Sequence, residues 1–160
     1  MRLPRIDQAL EHCEIHLDLT KSFNTPIESL LTQALLVISY AEFEQRIEST
    51  IEEKRTSTGD GLPGEIRHRS VGYEDIAEIL EQFGGTYVAT FKQQCNVNVA
   101  NQRAVTFYNN IVTNRHLVAH SSGANTTFPE FKGFYEEGHV VLDFFRETLL
   151  NITPAQSSSG

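Results

Sequence analysis

T-P-I-E-S-L-L-T-Q-A-L-L-V-I-S-Y-A-E-F-E, residues 25–44, decides how this chain folds. Thr25 suits a helix N-cap, Pro26 fits the first helical position, and Glu28 completes a capping box. The helix opened there is expected to run to about Arg55, where T-S-T-G-D-G-L-P-G (56–64) breaks it. Its middle, A-L-L-V-I-S-Y-A at 34–41, is apolar on nearly every face. Such a segment is buried all round, between helices or in a subunit interface, so it reads as a long central helix.

The flanking sequence is also helical in pattern. Ile6, Leu10, Cys13 and Leu17 recur at three- and four-residue steps, which marks one apolar stripe on a helix over 4–20. Residues 56–72 form a Gly/Ser/Thr/Pro-rich connection, 73–83 a short amphipathic helix, and G-G at 84–85 its end. Residues 86–100 are ambiguous: T-Y-V-A-T-F fits helix or strand, and N-V-N-V-A reads as loop. The helical pattern returns from Asn101 to about His120. Thr127 and Glu130 frame a second capping box, opening a last helix from about Phe128 to Leu150. The aromatic series Phe128, Phe131, Phe134, Tyr135, Phe144 and Phe145 has the spacing of core packing. The expected architecture is an all-α bundle of four to five helices with a long central helix and one long connection. Residues 1–25 form an N-terminal helix or extension, 26–150 the helical domain and 151–160 a flexible tail.

Bulk properties narrow the function. At 160 residues the chain has the size of one domain. Cys13 and Cys95 have no C-x-x-C spacing, which suits a reducing cytoplasm. No stretch approaches the roughly 18 apolar residues of a membrane span, and the N-terminus lacks the apolar run of a signal peptide. The formal net charge of −8 disfavours a broad electrostatic footprint on nucleic acid, while leaving room for a local basic pocket. The one dense basic cluster is R-H-R at 67–69. The glycine-rich 56–64 loop lacks the lysine and following helix of a phosphate-binding loop.

The chemistry concentrates in I-V-T-N-R-H-L-V-A-H, residues 111–120. Arg115 falls on the apolar row of Ala104, Tyr108 and Ile111. His116 and His120 lie about 40° apart on a polar stripe with Asn109 and Thr113. A guanidinium on an apolar face needs a carboxylate, a phosphate or a wet cleft, because it cannot shed its charge. Glu42, on the row of Leu31, Leu35 and Ile38, is a candidate partner, and Arg46 is placed to pair with Glu42 one turn away. His120 suits the carbonyl end of a helix dipole. The His116–His120 pair has metal-ligand spacing but no third ligand nearby, so no metal is assigned. The His12–His16 pair reads as surface, and His139 as a hydrogen-bonded structural residue. The alternative is catalytic. Cleaving RNA through its own 2′-hydroxyl requires a group titrating near neutrality and a fixed cation for charge growing on phosphate. Histidine and arginine supply them, and two copies across a two-fold axis make a fuller site than one.

R-H-L-V-A-H at 115–120 resembles the R-x-x-x-x-H signature of the HEPN superfamily, and the helical layout over about residues 26–150 resembles its RiboL-PSP-HEPN branch. A-E-F-E at 41–44 on the long helix, and S-S-G-A-N-T-T-F-P-E-F after the signature, fit the same layout. The resemblance implies a metal-independent endoribonuclease without a cofactor. It would act as a homodimer, leave a 2′,3′-cyclic phosphate and a 5′-hydroxyl, and serve as a toxin or antiviral effector. Carried over by position, Arg115 and His120 are the catalytic pair, His116 after the arginine joins them to orient the phosphate or the other two groups, and Glu42 or Glu44 is the supporting acid. Arg67, Arg69, Arg103 and Lys132 are candidate RNA contacts. Many toxins of the superfamily carry tyrosine two residues after the histidine, as the target of a nucleotidyltransferase antitoxin; here that position is Ser122, which puts this kind of partner in doubt. An antitoxin or regulatory protein partner of another kind remains compatible. The competing function is a non-catalytic helical module of the same fold, with Arg115 and His120 as structural polar contacts.

Overall fold

The computed structural model describes residues 2–58, 64–120 and 123–152. The helices in chain order are α1 (Pro4–Thr20), α2 (Pro26–Thr58), α3 (Tyr73–Glu81), α4 (Gly85–Asn96), α5 (Val99–Ala119), α6 (Phe128–Gly138) and α7 (Val140–Asn151). The all-α class is as expected, but the described residues hold seven helices rather than four or five. Parts of the expected connection and tail, residues 59–63 and 153–160, lie outside the described residues. Among the described residues no helix is long and apolar enough to cross a membrane.

Two stretches account for the extra helices. The ambiguous segment after Gly84 is α4, because Tyr87, Phe91 and Cys95 recur every four residues and are all buried. The expected last helix is two helices broken at His139. Beside the break α6 comes close to α5: a Cβ at Gly138 would stand 2.7 Å from the Tyr108 nitrogen and 3.0 Å from its Cα. Glycine lets α6 end directly against the α5 backbone.

Caps set the helix starts. Thr127 and Glu130 form the expected box: the Thr127 hydroxyl accepts from the Glu130 N–H at 3.4 Å, and the Glu130 carboxylate from the Thr127 N–H at 2.8 Å. Those bonds hold the Glu130 carboxyl below the usual carboxylate range. At α2, Thr25 caps the Ile27 N–H at 3.3 Å, but the expected box with Glu28 does not form. Buried Glu28 instead accepts from the Asn24 N–H at 2.5 Å and the Phe128 N–H at 3.0 Å. A carboxylate on α2 thereby satisfies the first amide of α6, 100 residues away in sequence.

The central helix α2 packs against α1, α5, α6 and α7. Phe43 stacks on Tyr108 of α5 at 4.9 Å, and the Tyr108 hydroxyl donates to the Val71 carbonyl at 2.6 Å. α1 joins the same core through Ile6, Leu10 and Leu17, and Leu3 just before it is buried there too. The Leu3 N–H donates to the Tyr135 hydroxyl at 3.0 Å. The aromatic series packs inward as expected: Phe128, Phe131, Tyr135, Phe144 and Phe145 are buried, and half-buried Phe134 lies 5.2 Å from Phe107. Both cysteines are free, and burial pushes the Cys95 thiol up to about 12.

His139 at the α6–α7 break is half-buried, with Nδ1 3.1 Å from the Tyr135 carbonyl. Burial holds its imidazole below the ordinary value of 6.5, against the opposing pull of Asp143. Folding therefore favours the neutral ring. The resulting stability is complete above the ordinary value and is lost as pH falls through the lower native one. Urea midpoints measured from pH 7.5 downward are expected to fall more steeply for wild type than for His139→Gln. Parallel profiles would exclude His139 as the source.

Candidate active site

The site is built at the C-terminal end of α5. Asn98 caps the helix start by accepting from the Asn101 N–H at 2.8 Å. Ala104, Tyr108 and Ile111 then bury one row against the core. Arg115 is next on that row and is half-buried. Its Cζ stands 4.2 Å from the centroid of the Tyr40 ring on α2.

The expected carboxylate partner is elsewhere. Glu42 accepts from Arg5 of α1 at 2.9 Å, with its side chain 14% exposed, and pairs with neither Arg115 nor Arg46. The reason is rotational. Tyr40 and Glu42 are about 200° apart around α2, so one faces α5 while the other faces α1. Among the described residues no carboxylate pairs with Arg115. Its charge rests on an aromatic face instead, an arrangement suited to the flat, weakly hydrated guanidinium. The N–H edge of a stacked guanidinium stays free to meet an anion.

His116 is half-buried beside the same ring, 5.7 Å between centroids and inclined by 56°. α5 loosens one turn later. Its last residue is Ala119, and His120 caps it with φ −96° and ψ 19°, outside helical geometry. The His120 side chain is exposed, while its N–H donates to the His116 carbonyl at 3.1 Å. One helix end thus carries a stacked guanidinium, a half-buried imidazole and a solvent-facing imidazole. Among the described residues no group of three or more His, Cys, Asp or Glu is placed to hold a metal ion. Ser122 lies outside the described residues.

Tyr40 was not legible as a site residue. It is 6% exposed, and its hydroxyl donates to the Ser70 Oγ at 3.4 Å. The only sequence signal was a hydroxylated aromatic in an otherwise aliphatic run. Glu44 stands one turn beyond Tyr40 on the same row and is half-buried.

The basic segment is pinned against the end of α3 and the middle of α5. Gln82 accepts from the Arg67 N–H at 3.3 Å and donates to its carbonyl at 3.0 Å. Asn109 of α5 accepts from the Tyr73 N–H at 3.0 Å. Three of the four candidate RNA contacts are engaged: Arg67 with Glu65 at 3.1 Å, Arg103 with Glu137 at 2.5 Å, and Lys132 with Glu14 at 2.8 Å. Arg69 is exposed, and no described carboxylate pairs with it.

The model of the family described as RiboL-PSP-HEPN matches residues 2–151 of the chain. No curated protein and no solved structure matches it.

Proposed function

We propose, since the chain belongs to the RiboL-PSP-HEPN family, that it is a metal-independent endoribonuclease. It acts as a homodimer in the cytoplasm, as a toxin or antiviral defence effector. The observation that carries this reading is the grouping of Arg115, His116 and His120 at one helix end, with none of the described carboxylates paired with the arginine.

The chemistry follows from what each group can donate or accept. Exposed His120 takes the proton of the attacking 2′-hydroxyl. The free edge of Arg115 donates to the non-bridging phosphate oxygens as they gain charge. His116 orients the phosphate. Attack by the 2′-oxygen forms the cyclic phosphate and releases the 5′-oxygen, which takes up a proton. Glu44, on the Tyr40 row, is the supporting acid in preference to Glu42, which Arg5 already holds. Arg69 is the leading contact for a flanking phosphate, because its charge is free of the described carboxylates; Arg67, Arg103 and Lys132 are secondary.

A second copy completes the site. The outer face of α2 exposes Ile27, Leu30 and Val37 at 45%, 65% and 48%, on the side opposite its core row. An apolar row of that kind fits a partner helix. Leu30→Asp is expected to shift the chain from dimer to monomer in analytical ultracentrifugation, with activity falling in step with the dimer fraction. Full activity in a proven monomer would remove the shared site.

The direct test is cleavage of a mixed-sequence single-stranded RNA in excess EDTA. Wild type is expected to cut it, leaving 2′,3′-cyclic phosphate and 5′-hydroxyl ends. A dimer inert towards RNA pools that include whole-cell tRNA favours the non-catalytic binding module.

A further inference from the structure

We infer that Tyr40 is the positioning residue of this site, a buried ring that holds the Arg115 guanidinium and the His116 imidazole in one arrangement. The inference rests on the ribonuclease reading above and adds to the α5 signature an aromatic platform from α2.

The geometry is specific to this ring. Arg115 Cζ lies 4.2 Å from its centroid, well inside the roughly 6 Å reach of a cation–π contact. His116 lies 5.7 Å from the same centroid. Tyr40 therefore meets the two half-buried ionisable side chains of the signature, Arg115 and His116, while His120 is exposed. The ring itself has little freedom. It is 6% exposed, its helix is buried on this side through Leu36 and Phe43, and its hydroxyl reaches Ser70 at 3.4 Å. A long arginine side chain loses much rotamer freedom when it is held in one place. A rigid aromatic platform meets that cost before substrate arrives. The guanidinium is then already held over the ring when charge develops on the phosphate. Through Ser70 the same residue reaches the pinned segment that carries Arg69.

Tyr40 has no proton to give in this scheme and touches no reacting atom. Its contribution acts through Arg115, which makes it separable from simple packing. The test is a series at position 40: Tyr40→Phe, Tyr40→pentafluorophenylalanine and Tyr40→Leu, each alone and combined with Arg115→Ala. Tyr40→Phe keeps the ring and is expected to leave kcat within about twofold of wild type. Fluorination keeps the shape but removes the negative face, and is expected to lower kcat by roughly tenfold to a hundredfold with KM little changed. Melting temperature should not move with that loss, which a packing role does not predict. In the Arg115→Ala background the fluorinated ring should cost nothing further, because the group it positions is gone.

The Arg115 side-chain NεH resonance gives an independent readout. It is expected to sit upfield through the ring current in wild type and Tyr40→Phe, and to relax towards the free value in Tyr40→Leu. An unshifted resonance in wild type overturns the inference. So does a fluorinated chain as fast as Tyr40→Phe, or one slowed by the same factor with and without Arg115. A wild type inert towards every RNA is a different failure, seen before any variant is made: it removes the ribonuclease reading and the positioning role with it.

Discussion

With His120 replaced by alanine, RNA cleavage is expected to slow by about a thousandfold, within the range for loss of a general acid–base group. The side chain is exposed at the end of α5, so its removal opens no cavity. Folding stability should stay within about 0.5 kcal/mol of wild type, as for a surface substitution. Arg115→Ala is expected to slow cleavage by about 10²–10³-fold, the cost of losing one preorganised donor to a developing oxyanion. Arg115→Lys should recover little, because an ammonium neither stacks flat on Tyr40 nor offers a forked edge to phosphate. The double variant should be slower than wild type by less than the product of the two effects, since groups acting on one transition state are not additive. Single-turnover kinetics on one defined single-stranded RNA measure all four chains. A His120→Ala chain within about threefold of wild type would falsify the assignment of His120 as the proton-transfer group.

The largest expected effect on stability comes from one methyl group. Gly138→Ala places a carbon 2.7 Å from the Tyr108 nitrogen and 3.1 Å from the Phe107 carbonyl carbon. These are backbone atoms of a helix, so no side chain can swing aside. α6 must move off α5, which disturbs Tyr108 and with it the stack on Phe43 and the bond to Val71. The cost is expected at about 3 kcal/mol, the upper end for overpacking. For a domain of this size that corresponds to a melting temperature lower by roughly 6–12 °C. Gly133→Ala is the control: it lies on the same helix, and no atom beyond its own helix and chain neighbours lies within 4 Å of the added carbon. Equal melting temperatures for the two variants would show that α6 and α5 do not meet as closely as the structure has them.

The two variants illustrate how unevenly the molecule was legible. His120 and Arg115 stand out as candidates from six residues of sequence, whereas nothing in F-Y-E-E-G-H-V distinguishes Gly138 from an ordinary helix-ending glycine. The break beside it turned one expected helix into two. The α4 segment was undecided for a related reason. T-Y-V-A-T-F has strand-like residues, and only burial of Tyr87, Phe91 and Cys95 on one side settles it as a helix.

What the sequence determined by itself was local. The start of α2 at Pro26, the Thr127–Glu130 box, the apolar rows of α1 and α5, and the place of Arg115 on its row all depend on residues within a few turns of each other. Helical periodicity fixes those relations whatever the rest of the chain does. Only the tertiary structure decided the partners. Glu42 went to Arg5 and Arg115 to Tyr40; Glu28 went to the Phe128 amide, and Lys54 to the Ile152 carbonyl at 2.7 Å. Each of these contacts joins residues at least 37 positions apart in the chain. Periodicity gives the angle of a residue around its own helix, but not which neighbour packs at that angle. That choice depends on the crossing of whole helices and on close approaches such as Gly138 against α5, which are set by the packing of the core as a whole.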